Sequence, residues 1–164
     1  MQSLLRIRDD GLAPPAGALL LSPWCDLEED KGGTWSSNSC YDYLPASGVG
    51  KFARLYAGKE GLADMSMSRA KLIGLPPMMV TIGGKEVLRG QIETFVETAR
   101  EQGVNVKLEV EPDMVHVWQV FASMLKEGRG GKWFEVCADW IAEKFKEAGE
   151  EEMLLVDNPS IDHV

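Results

Sequence analysis

The chain is poor in the residues that do most catalytic and metal chemistry. Its 164 residues include two histidines, His116 and His163, and three cysteines, Cys25, Cys40 and Cys137. The cysteines are too few and too scattered for a disulfide framework, and none forms a C-x-x-C pair of the kind that binds zinc or runs thiol exchange. That usage points to a reducing, cytoplasmic setting. Positive charge is also short: 17 Lys and Arg stand against 26 Asp and Glu, a formal net charge of -9. A surface of that sign repels phosphate backbones and anionic lipid heads, so nucleic acid is excluded as a partner. No run approaches the ~18 consecutive apolar residues of a membrane span, and the N-terminus has no long apolar stretch of the secretory type. There is no G-x-G-x-x-G, no phosphate-binding glycine loop and no residue set with metal-ligand spacing, so neither a cofactor nor a metal is expected.

What is present is an ordinary globular composition, 45% hydrophobic and 26% charged. At this length one domain is the default, and it can bury roughly two-thirds of its unfolded surface. Gly and Pro punctuate alternating elements. Met1 to Asp10 reads as the last turns of a helix, closed by Gly11 and by Pro14-Pro15, which cannot continue it. Ala16 to Ser22 (AGALLLS) is a continuous apolar run, as expected of a strand buried on both faces and stopped by Pro23. Leu27 to Ser39 is polar and Gly/Ser-rich, a loop, and Pro45 to Tyr56 is a helix with proline in its first turn. Pro77 to Ile82 (PMMVTI) is a second apolar strand, ended by Gly83-Gly84. Val87 to Gln102 places Val87, Leu88, Ile92, Phe95, Val96 and Ala99 at helical spacing, with Gly103 as the stop. Val104 to Val110 alternates apolar and polar, as an edge strand does. Two more amphipathic helices follow, Val117 to Leu125 and Trp133 to Ala148. The acidic run from Gly149 onward lacks periodicity and reads as a flexible tail, residues 149–164. This alternation predicts an α/β layer structure with a parallel sheet.

In a parallel sheet, catalytic groups sit on loops at the carboxyl ends of strands. Glu86 follows the second strand in GGKEVL, and His116 follows the third in PDMVHVW. Adjacent parallel strands would bring both to one sheet edge, where a carboxylate can fix the tautomer of an imidazole and stabilise its cation. On residues alone His116 has a second reading, a histidine packed beside Trp118 and Phe121, and Glu86 a second one, a first-turn helix glutamate favoured by the helix dipole.

Three blocks in order, LLRIRDDGLAPPAGALLLSPWCDL, LPPMMVTIGGKEVLRGQ and MVHVWQVF, resemble the downstream half of the hormone-sensitive-lipase-like α/β-hydrolases, a family of carboxylesterases and lipases. The resemblance runs from about Leu4 to about Phe145. It implies the C-terminal portion of the α/β-hydrolase fold, about three parallel strands flanked by helices over residues 1–148, and it places Glu86 at the triad acid and His116 at the triad base. Many members carry Asp where this chain has Glu86. The family's G-x-S-x-G nucleophile elbow and HGGG-type oxyanion loop have no counterpart: none of the ten serines has glycine two places on either side. The expectation is an acid/base half, inactive alone, that meets a small-molecule ester only when completed by an upstream half.

The remaining chemistry-bearing residues have plainer readings. His163 is a solvated tail residue, Asp26 a loop acceptor, and Asp42 a turn or helix cap. Cys25 has no elbow around it and Cys137 lies on an apolar helix face, so neither replaces the serine. A sheet cut after its nucleophile would leave the edge of AGALLLS bare, which predicts self-association through that edge. A non-catalytic interaction module or pseudoenzyme fragment is the competing reading.

Overall fold

A computed structural model describes residues 1–28, 33–45, 49–124 and 129–157. Three strands, β1 (Ala18–Leu21), β2 (Met78–Gly83) and β3 (Val106–Glu111), form a parallel sheet in the order β1-β2-β3. Ala18 pairs with Met78, and Met78 with Val106. The helices are α1 (Gln2–Asp9), α2 (Gly33–Ser37), α3 (Val49–Ala57), α4 (Leu62–Met65), α5 (Arg89–Glu101) and α6 (Arg129–Asp157). Short 3₁₀ segments occupy Met67–Arg69 and Trp118–Met124.

The central strand β2 is buried along its whole length, and its two faces belong to two cores. Met78, Val80 and Ile82 pack with Ile92, Phe95, Val96 and Ala99 of α5 and with Leu4 and Leu5 of α1. Met79, pointing the other way as strand alternation requires, packs with Cys137 and Trp140 of α6. Helices therefore cover both faces, which is the arrangement that parallel crossovers demand. The apolar stripe expected on α5 is the buried one, and Trp140 with the half-buried Trp133 packs in the second core.

Four local expectations are corrected. β1 is half-buried along its length rather than buried on both faces, because β2 is its only strand neighbour among the described residues. The 27–39 stretch contains the short helix α2, centred on buried Trp35, while its residues 29–32 lie outside the described residues. The segment after His116 is 3₁₀ rather than α-helical over Trp118–Met124; it starts after Val117, whose φ of +44° cannot belong to an α-helix, and Leu125 lies outside the described residues. The last helix does not stop near Ala148 but continues to Asp157, so residues 149–157 are helical, and 158–164 lie outside the described residues. A run of glutamates with good helix propensity extends a helix even where no apolar stripe guides the eye.

Candidate active site

The carboxyl ends of all three strands meet at one point. Ser22 directly follows β1, Gly84 to Glu86 follow β2, and His116 follows β3. The β2 and β3 loops are pressed together. A Cβ on Gly84 would overlap the Pro112 carbonyl, and one on Gly83 would overlap the carbonyls of Met114 and Val115. The missing side chains let Gly84 N–H donate to Glu111 O (2.8 Å) and Lys85 N–H to Met114 O (2.9 Å). This double glycine fastens the histidine loop to the glutamate loop.

Glu86 is fully buried. Its Oε2 accepts the Ser22 hydroxyl and the Gly83 N–H, both at 2.7 Å. Its Oε1 faces His116 Nδ1 at 3.7 Å, and neither atom has a hydrogen-bond partner among the described residues. The separation exceeds a formed hydrogen bond, and catalytic bonds are often long before substrate arrives. The His116 side chain is 16% exposed, so the ring is held yet reachable. Tyr43 packs on it with ring centroids 6.0 Å apart. Burial, followed by the nearby Asp42 and Glu86 carboxylates, raises the Tyr43 hydroxyl above the usual tyrosine range, which keeps it neutral beside the pair.

Two residues from the segment between β1 and β2 tie the loops together. Asp42 Oδ2 accepts Val87 N–H at 2.7 Å, and Oδ1 accepts His116 N–H at 3.4 Å together with Tyr43 N–H at 2.8 Å. Asn38 Nδ2 donates to the Glu86 carbonyl at 2.9 Å. Asp42 is thus more than a turn residue: one carboxylate holds the backbone beside both Glu86 and His116. Asp26 is the loop acceptor its position predicts, taking Glu28 N–H at 2.9 Å and the Ser66 hydroxyl at 3.2 Å.

The structure brings Glu86 and His116 together as spacing along the chain predicts. Ser22, Asn38 and Asp42 went unassigned to the site. For Ser22 the signal exists, since it ends a strand at the same sheet edge. Asn38 and Asp42 arrive from a loop whose path no periodicity encodes. The thiols stand apart from this chemistry. Burial first, then the Asp26 and Glu86 carboxylates, push the Cys25 thiol far above its ordinary range, and its Sγ lies 3.3 Å from the Pro23 carbonyl.

Residues 1–120 match the alpha/beta hydrolase fold family. The chain belongs to that family, within its hormone-sensitive-lipase-like branch. An acetyl-hydrolase of Streptomyces hygroscopicus is 31% identical over 129 residues, covering 77% of this chain and 43% of that protein. An esterase of Acinetobacter venetianus is 28% identical over 134 residues, covering 76% and 42%. The crystal structure of a hormone-sensitive lipase from a metagenome library superposes with a TM-score of 0.80 at 32% identity, covering 87% of this chain and 49% of that one. The chain spans just under half the length of these relatives. No helix among the described residues is long and apolar enough to cross a membrane.

Proposed function

We propose that Glu86 and His116 are the acid and base of a carboxylic-ester-hydrolysing triad whose nucleophile is not among the 164 residues. The observation that carries this reading is the buried Glu86 Oε1 set 3.7 Å from His116 Nδ1. With Glu86 against Nδ1, the Nε2 side of the ring takes the proton of an attacking hydroxyl. It returns that proton to the leaving alcohol, and the carboxylate stabilises the imidazolium between the two events. The names of the relatives, an acetyl-hydrolase and an esterase, support acyl transfer from a small ester to water as the chemistry.

On this reading the chain is inert alone. Without an elbow serine the acyl-enzyme route is closed, a loss of about 10⁴ to 10⁶ in turnover, and absent oxyanion donors cost roughly another 10²-fold. Cys25 is a poor substitute because its raised pKa leaves almost no thiolate. A small-molecule ester is therefore turned over only when an upstream half completes the site. The proposed cytoplasmic setting rests on cysteine usage alone.

One observation favours a second reading, self-association. Beside β1 runs an apolar groove lined by Leu19, Leu20, Trp24, Phe52 and Tyr56, with Phe52 65% and Tyr56 60% exposed. A second copy pairing along that edge would cover it; sedimentation that stays monomeric across a hundredfold concentration range would rule this out. The hydrolase reading is tested with a short-chain p-nitrophenyl ester, the purified chain and its His116→Ala variant. Both are expected to be inert. Turnover by the wild type that vanishes in the variant would mean that another group of this chain serves as nucleophile.

A further inference from the structure

The Ser22 hydroxyl touches Glu86 and the backbone of the residue that follows His116. It lies 2.7 Å from Glu86 Oε2 and 3.1 Å from the backbone nitrogen of Val117, the residue after His116. The direction of these bonds follows from the groups involved. The Val117 N–H can only donate, so the hydroxyl accepts it, and the hydroxyl hydrogen is left for the carboxylate, which can only accept when ionised. Ser22 is buried, with no competing partner among the described residues.

The backbone is bent to make this contact. Ser22 at φ +43° and Val117 at φ +44° are the two non-glycine residues in the left-handed region among the described residues, and they are bonded to each other through this hydroxyl. For a β-branched valine that conformation is strained, and it persists only where the surroundings hold it.

We propose that Ser22 is a positioning residue for the triad, setting Glu86 Oε1 opposite His116 Nδ1 and so selecting the imidazole tautomer. The inference rests on the acid/base reading of that pair. Its logic is geometric. The Gly83 N–H alone would leave the carboxylate free to swing about one bond, whereas two donors on Oε2 fix its plane and present Oε1 to the ring. The same hydroxyl fixes the backbone next to the ring from the other side. The other charged or titratable groups facing His116 do not do this: Asp42 binds its backbone nitrogen, and Tyr43 packs against its ring.

The test is imidazole ¹⁵N chemical shifts of the full chain at a pH where the ring is neutral, with His163→Gln leaving His116 as the single histidine. Which nitrogen carries the proton is set by the bond the ring makes. The wild type is expected to hold the Nδ1–H tautomer. Ser22→Gly, which tolerates the left-handed backbone, is expected to stay folded while the Nδ1–H share falls by at least half. A folded Ser22→Gly chain with an unchanged tautomer overturns the inference and leaves the pair intact. A wild type in the Nε2–H form overturns the pair itself. Ser22→Ala repeats the measurement with the Cβ kept. Should neither variant fold, amide exchange of Val117 in the wild type decides: protection supports the hydroxyl's grip, and exchange at the unprotected rate overturns it.

Discussion

Replacing Asp42 by alanine should loosen the active-site edge and cost stability in a predictable amount. The carboxylate accepts three backbone N–H groups, from Tyr43, Val87 and His116. Their weights differ. Val87 is buried, so its N–H at 2.7 Å finds no water when the acceptor goes, and a hydrogen bond to a charged group contributes about 1.5–3 kcal/mol. Tyr43 is exposed, and water can replace that bond. The His116 bond at 3.4 Å is long and adds the least. The sum is about 3 kcal/mol. With a denaturant slope of about 2 kcal/mol per molar for a small domain, the urea midpoint followed by tryptophan fluorescence falls by about 1.5 M, with the slope unchanged. Asp42→Asn keeps one acceptor oxygen and should fall between the two. If Asp42→Ala stays within about 0.5 kcal/mol of the wild type, as an ordinary surface change would, the carboxylate does not tie the loops together.

Gly84→Ala should destabilise by about 1–3 kcal/mol or more, because the new methyl meets the Pro112 backbone rather than a side chain that can turn aside; a chain as stable as the wild type in the same urea titration would refute the close approach. Thiol alkylation in the folded chain should be confined to exposed Cys40, since Cys25 and Cys137 are buried and burial raises both thiols. Peptide mass mapping after brief iodoacetamide treatment reads this directly, and Cys25 labelled as fast as Cys40 would contradict it.

The parts of the fold legible in the sequence are those where one physical signal acts alone. PMMVTI is apolar but for Thr81 because both its faces are covered, and the stripe Ile92, Phe95, Val96 and Ala99 follows the turn of a helix against one core. AGALLLS carries the same signal as PMMVTI, and its edge position followed from the resemblance rather than from composition, which reports what a strand can bury and not which neighbour is present. The meeting of Glu86 and His116 at one sheet edge was legible because strand-end position is a topological property. Asp42 was not, since its role depends on a loop folding back across the sheet edge to reach Val87 and His116. Ser22 shows a different limit: its left-handed backbone follows from the contact it makes across the site, and nothing local in LLLSPW demands it.

On the proposed function, Glu86 and His116 work as an acid/base pair once a nucleophile is supplied. The most direct measurement is kcat/KM for a short-chain p-nitrophenyl ester by a chimera in which these 164 residues replace the matching segment of the metagenomic hormone-sensitive lipase, with and without His116→Ala. The chimera is expected to be active and to lose about 10⁴ to 10⁶ of its rate with the substitution. An active chimera that hydrolyses the ester equally well without His116 would contradict it.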